Sequence, residues 1–279
     1  MTDQPMPPDA ASLAVPRRVL VTGAAGQIAG YLIEAVARSR QYQLSLTDLR
    51  PLPTTAPFPF TAANITDFAA IRPLADGVDT VVHLAAKPGP GHSWQSLQTH
   101  NIAGTYNVLQ AASEAGCRRV VFASSGHVVL GGWAGAPLDS QSPVRPSSLY
   151  GVSKACGEAL ASYFAYQRGL SVICLRIGWV TPYDHLRLTP RSGVLDLILT
   201  PGDLVRLLIA SIEAPDSLQF GIFPGLSDNK HKRLAIDETQ AVLGYAPRDD
   251  AYALAWRNLR GIWRRGIARL ARKFPSRRG

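Results

Sequence analysis

The sequence predicts an α/β fold, a Rossmann-type doubly wound parallel sheet with a small C-terminal substrate subdomain. Three observations carry the prediction. Short β-branched apolar runs alternate with helical segments between Val19 and Gly178. A glycine-rich turn follows the first run at once. An aspartate closes the second run. Apolar runs this short, separated by helices, read as parallel strands covered on both faces.

The elements follow in order. "VLVT" (Val19 to Thr22) is the first strand, and a helical pattern runs on to about Arg40. "LSLTD" (Leu44 to Asp48) is the second strand, and "TVVHLA" (Thr80 to Ala85) comes after a loop rich in Pro and Thr. A helix fits Leu97 to Gly116, "RVVFASS" ends as a strand at Ser125, a helix covers roughly Ser148 to Arg168, and "SVICLRI" is the strand Ser171 to Ile177. Past Gly178 the alternation weakens. A helix near Gly202–Ala214, a strand near Phe220–Phe223 and a helix near Ala235–Leu243 read as a small mixed subdomain. The expected organisation is a disordered lead-in over 1–16, a dinucleotide-binding domain over 17–178, a substrate subdomain over 179–250 and a basic amphipathic helix over 251–279.

Bulk composition narrows the function classes. A hydrophobic content of 46% over 279 residues supports a sizeable core. Cys117, Cys156 and Cys174 are scattered, without metal-ligand spacing, and read as reduced packing residues of a cytoplasmic protein; no metal is expected. The first residues carry acids and prolines instead of an apolar run, so they read neither as a signal peptide nor as an anchor. No stretch approaches the roughly 20 apolar residues that span a bilayer. The net charge is +9, and the nine Arg and Lys residues after Asp250, with no acid among them, account for all of it. The remaining chain is balanced, so the charge gives no reason to expect nucleic acid as a partner.

The turn "VLVTGAAGQIAG" carries the first chemical signal. Gly23 and Gly26 fall where the chain turns tightly and a pyrophosphate approaches the backbone. Ala29, small enough for close helix–strand contact, takes the third position. The following helix offers free N–H groups to an anion. A lone glycine loop also suits an ordinary βα turn. Here Asp48 follows Gly26 by 22 residues, near the spacing of a carboxylate that holds the adenosine ribose. An acid there favours NAD over NADP, and the nearby Arg50 softens the choice.

"SSLYGVSK" carries the second signal. Tyr150 and Lys154 are four apart, on one face of a helix. A cation beside a phenol favours the phenolate, which can serve as a general base. The spacing alone also suits an exposed aromatic beside a solvated lysine.

Together with "HLAA" (from His83), "NIAGTYNVLQAA" (from Asn101) and Ser124-Ser125, these segments make the chain resemble the extended short-chain dehydrogenase/reductase family, also called the NAD-dependent epimerase/dehydratase family. The match runs from Val19 to Gly178. Within the family the sequence is most similar to uronate dehydrogenases, through "VVFASSGH", "LRIGWVTP" and "LGYAPRDDA". The resemblance implies that Tyr150 is the acid/base, that Lys154 holds the nicotinamide ribose and lowers the tyrosine pKa, and that Ser125, 25 residues before Tyr150, bonds the reacting oxygen. It implies NAD held by Gly23, Gly26, Gln27, Ile28, Asp48, Asn64, Ile65, Leu84, Ala85, Ala86, Asn101, Tyr150, Lys154 and Ile177. The Asn64-Ile65 pair stands where the family carries an acid–hydrophobe pair. On the substrate side it implies Ser125 and His127, with Arg187 or Arg191 gripping a carboxylate. The chain departs from the uronate dehydrogenases there, with Gly126 for an asparagine, Trp179 for a serine and "KPGPGHSW" after "HLAA".

The implied activity is oxidation of a sugar or sugar-acid hydroxyl. The alternatives are an NAD-retaining sugar or nucleotide-sugar epimerase or dehydratase, and a non-catalytic dinucleotide sensor. The family's habit of four-helix pairing makes a homodimer an expectation. In the tail, Tyr252, Trp256, Leu259, Trp263, Ile267, Leu270 and Phe274 form one stripe, which suits a helix docked on protein or a peripheral contact with anionic lipid.

Overall fold

The computed structural model describes residues 15–53, 56–182, 189 and 191–258. The lead-in over 1–14, Arg187 and the tail from 259 lie outside them.

Five strands read from the sequence are present: β1 (Arg17–Thr22), β2 (Tyr42–Asp48), β4 (Thr80–His83), β5 (Arg119–Ser125) and β6 (Ser171–Ile177). A three-residue strand, β3 (Phe60–Ala62), joins them at the sheet edge. Its alternation is too short to be read from sequence. Two-residue strands β7 (Trp179–Val180) and β8 (Ile198–Leu199) make a separate small sheet. The remaining strand, β9 (Phe220–Gly225), corrects the sequence reading. It was expected inside a small subdomain. It is instead the seventh strand of the main sheet, ordered β3-β2-β1-β4-β5-β6-β9, parallel to β6 from Val172↔Phe220 to Ile177↔Gly225.

The strands alternate between two cores. Val19, Val21, Leu44, Val121 and Ile173 pack on one face; Leu20, Val81, Val120, Phe122 and Val172 pack on the other. Both faces are apolar because helices cover both. On the first face lie α1 (Gln27–Val36), through Leu32 and Val36, and α6 (Pro201–Ile212), through Leu204, Leu207 and Leu208. On the second lie the helix α4 (Gly104–Glu114), through Val108 and Leu109, and α5 (Leu149–Arg168), through Ala161 and Phe164. Local signals set the helix ends. The Ser148 side chain accepts the Gly151 N–H at the start of α5, and Gly169 ends it in the left-handed region at φ 71°. Thr200 caps α6, with Pro201 in its first turn.

One feature was not anticipated. The helix expected from Leu97 begins as α3 (Trp94–Leu97), passes through a π-helical turn (Gln98–Ala103) and only then continues as α4. Near the end of the described chain, a helix over 251–258 buries Ala251 and Ala255 against Leu195 and Ile198, while Trp256 stays exposed. The face that docks is thus the small-residue face, which allows close approach, joined by partly buried Tyr252 from the aromatic stripe. Among the described residues no helix is long and apolar enough to cross a membrane.

Candidate active site

Thr22, Asp48, His83, Ser125 and Ile177 all end their strands at one edge of the sheet. A cavity of about 670 Å³ opens along that carboxyl edge, where open α/β sheets bind ligands.

At one end of the cavity, the β1–α1 turn is built for close approach. Gly23 has φ +75°, and a Cβ there would sit 2.6 Å from the Ala85 backbone nitrogen. Gly26 caps α1 without any side-chain hydrogen bond, and no acid occupies the first turn. The N–H groups of that turn are therefore left for an anion. Asp48 accepts the Ala25 N–H at 3.1 Å and the Arg50 N–H at 2.9 Å, and Arg50 donates to the Ala25 carbonyl at 2.9 Å. Asn64 and Ile65 line the same end. Asn64 accepts the Thr66 N–H, and Asn107 holds the Ile65 carbonyl. Gln27, Ile28, Leu84, Ala85, Ala86 and Ile177 complete the wall. The glycine turn, the open helix end and the acid at the end of β2 fit a dinucleotide.

At the other end Ser125, Tyr150 and Lys154 converge. The two serines at the end of β5 separate cleanly. Ser124 gives its hydroxyl to buried Glu158 at 2.6 Å, whereas the Ser125 hydroxyl accepts the His127 N–H at 3.3 Å and lines the cavity beside Tyr150. The ammonium of Lys154 lies 5.7 Å from the Tyr150 ring centroid and donates to the Ala123 carbonyl at 2.7 Å. Burial dominates both titrations. It pushes Tyr150 up to about 12, opposed by the Ser125 hydrogen bond, and pushes Lys154 down to about 8. In the protein alone, then, burial is the largest influence on the Tyr150 phenol.

Three predicted site residues lie off the cavity wall. Asn101 is buried behind it. Its amide accepts the Lys87 N–H at 2.8 Å and donates to the Lys87 carbonyl at 3.1 Å and to Ser153 at 3.0 Å. It braces the site and does not line it. His127 meets the Tyr150 ring edge-on at 5.8 Å and hydrogen-bonds Ser147 at 2.7 Å, beside the cavity. Arg191 is exposed and does not line it.

Sequence reasoning also missed residues. Arg176 and Glu158, 2% and 4% exposed, form a bidentate ion pair at 3.0 and 2.9 Å beneath Ser124. The signal was an arginine inside an otherwise apolar strand. His83 is bridged between the hydroxyls of Thr22 (2.7 Å) and Thr105 (3.1 Å), and burial pushes it down to about 3. Lys87, His92 and His100 line the cavity and were not singled out. Among the described residues no group of three or more His, Cys, Asp or Glu is placed to hold a metal.

A parallel sheet with this strand order, a glycine turn on the first strand and a Ser–Tyr–Lys set at its carboxyl edge defines a dinucleotide-dependent short-chain dehydrogenase class. The chain belongs to the NAD dependent epimerase/dehydratase family, whose profile matches residues 19–187. NAD(P) is the cofactor of that family. The chain is 36% identical over 258 residues to an L-arabinose 1-dehydrogenase (NAD(P)(+)) of Haloferax volcanii, covering 84% of this chain and 97% of the relative. It is 33% identical to an NAD-dependent glucose-6-phosphate dehydrogenase of the same organism, covering 84% and 94%. Among solved structures it is similar to a uronate dehydrogenase mutant from Agrobacterium tumefaciens complexed with NAD, with 32% identity, a TM-score of 0.75 and coverage of 86% and 88%. The enzyme is a sugar dehydrogenase-like member of its family.

Proposed function

We propose that this protein is an NAD-dependent dehydrogenase that oxidises a hydroxyl of a sugar or sugar acid, uronate-like in its chemistry. The observation that carries the reading is the convergence of Ser125, Tyr150 and Lys154 on one end of a cavity whose other end presents Asp48.

In this reading the substrate hydroxyl sits between the Ser125 and Tyr150 oxygens. Ser125 orients it by hydrogen bonding. Tyr150, as phenolate, takes its proton, and the Lys154 ammonium stabilises the phenolate charge. NAD, when bound, supplies the hydride acceptor. Gly23, the α1 N-terminus, Asp48, Asn64 and Ile65 would hold the dinucleotide. Asn101 and Ser153 tie the loop after β4 to the start of α5, which holds Tyr150 and its neighbours in place. For a cyclic uronic acid the carbon oxidised is the anomeric one, and the product is an aldarolactone.

The test mixes the full chain and NAD with uronic acids, neutral aldoses and sugar alcohols, and follows NADH, with Tyr150→Phe as control. NADH formation that disappears in the variant supports the reading. NAD retained through purification, with no net NADH from any sugar, would overturn it in favour of an epimerase or dehydratase.

A further inference from the structure

The cavity wall is asymmetric in charge. Its only carboxylate among the described lining residues is Asp48, which is bound to the β1–α1 turn at the dinucleotide end. Arg50 lines the wall beside Asp48; away from that end, and apart from the Lys154 ammonium, which is committed to the Ala123 carbonyl, the described wall adds Lys87, His92 and His100 and no acid. From this asymmetry we infer that the substrate carries an anionic group, a carboxylate or a phosphate, and that Lys87 receives it. The inference rests on the sugar-dehydrogenase reading and names the class of sugar.

The position of Lys87 is built and not incidental. Asn101 is 1% exposed and clamps the Lys87 peptide from both sides, at its N–H and at its carbonyl. The same amide donates to Ser153, whose hydroxyl donates to the Tyr150 carbonyl at 2.7 Å. The backbone of Lys87 is thus tied through two side chains to the backbone of Tyr150. The π-helical turn Gln98–Ala103 carries Asn101 and brings His100 to the cavity wall. Single π turns inserted in helices recur at functional sites.

The clamp fixes the backbone of a lysine that makes no ion pair among the described residues. Among the described residues no carboxylate pairs with Lys87, although every Asp48 oxygen has a partner nearby. His92 bonds the Pro88 carbonyl through Nε2, and His100 bonds the Ser96 carbonyl through Nδ1. Each keeps its second ring nitrogen clear of those bonds. An ammonium that shares a cavity wall with two imidazoles suits a compact anion, and charge-assisted hydrogen bonds to carboxylate or phosphate are roughly twice as strong as neutral ones. Lys87 thereby fills the part that the sequence assigned to an arginine. Arg191 is exposed and away from the wall.

The test uses the full chain saturated with NADH. Dissociation constants are measured by calorimetry for glucuronate, glucose 6-phosphate and glucose, which share a ring and differ in charge. At least one charged sugar should bind about tenfold or more tightly than glucose, consistent with one charge-assisted contact. Preference for glucuronate names the anion as carboxylate, and preference for glucose 6-phosphate names it as phosphate. Lys87→Met should abolish the preference and leave the glucose and NADH constants unchanged, and Lys87→Arg should retain it. Equal binding of all three sugars, or no binding by any, overturns the proposal. So does a Lys87→Met protein that loses NADH affinity while keeping its anion preference, because the lysine then serves the cofactor. If the anion preference holds but no sugar yields NADH from NAD, the dehydrogenase reading falls and the anion site stands.

Discussion

The Ser124 hydroxyl donates to buried Glu158 at 2.6 Å, while the neighbouring Ser125 hydroxyl accepts the His127 N–H at 3.3 Å and stands at the cavity beside Tyr150. Neighbouring side chains on a strand face opposite ways, so with the Ser124 hydroxyl engaged by Glu158 it is Ser125 that is left to serve the substrate. Ser125→Ala should lower NADH formation about 10²-fold, the scale of losing one hydrogen bond to a reacting oxygen. Ser124→Ala should hold activity within a few-fold and lose ~1.5–3 kcal/mol of stability, the range for a hydrogen bond to a charged group. Initial rates and denaturant midpoints check both, and the opposite ranking would place Ser124 at the site.

Glu158 answers to two partners, Ser124 and the buried guanidinium of Arg176. Removing one member of such a pair strands the other charge away from water. Glu158→Leu is expected to destabilise the fold by ~3–5 kcal/mol. Glu158→Leu with Arg176→Leu should cost less than the two single changes summed, since no charge is then left behind. Urea titration of the three variants decides the point.

Tyr150 must lose a proton from a buried position that holds it, with burial pushing the phenol up to about 12 and the Ser125 hydrogen bond opposing. Activity should therefore rise with pH across the neutral and mildly alkaline range. The Lys154 ammonium is the cation near the phenol, 5.7 Å from its ring centroid. Lys154→Met should shift the rising limb to higher pH. A kcat/KM profile that is flat from pH 6 to 9 would remove Tyr150 from the proton-transfer step.

Much of this was legible in the sequence, for physical reasons that differ by element. β5 and β6 are buried at every position, so their apolar runs marked them to the residue. The Gly23 turn was legible because few residues other than glycine suit φ +75° beside the Ala85 backbone. β9 was found but misplaced, since parallel pairing with β6 is a long-range contact that no local pattern encodes. The π turn was invisible because its hydrogen-bond shift leaves apolar spacing almost unchanged. Lys87 was passed over because a lysine in a Pro/Gly loop looks solvated until Asn101 is seen to clamp it.

Asp48 and Arg50 are expected to set the cofactor preference between them. The Asp48 carboxylate takes two backbone N–H groups, while the Arg50 side chain is 70% exposed and lies 3.7 Å from that carboxylate. An acid there repels a 2′-phosphate and an arginine attracts it. Asp48→Ser should weaken NADH binding and strengthen NADPH binding, changing the ratio of their dissociation constants by more than tenfold. Arg50→Ala should move the ratio the other way. Fluorescence titration with each reduced cofactor reads this without a substrate.

His83 makes the fold sensitive to mild acid. The ring sits between the Thr22 and Thr105 hydroxyls, each able to donate or accept. Burial, with the Lys154 charge adding to it, pushes the His83 pKa down to about 3. The unfolded chain binds a proton at this histidine near pH 6.5 and the folded chain does not until about pH 3. Stability is therefore full above pH 6.5 and falls as pH drops toward 3, by up to ~1.4 kcal/mol per pH unit for one proton. Carboxylates act lower. Burial works against the Asp79 carboxylate, yet hydrogen bonds from Arg118 and Thr80 hold it below its usual range, so its loss comes only under pH 4. Urea midpoints between pH 4 and 6.5 read the buried histidines, to which His127, also held down by burial, adds its own part. His83→Gln should start from lower stability and show a flatter slope across that window, and an unchanged slope would assign the acid sensitivity to other groups.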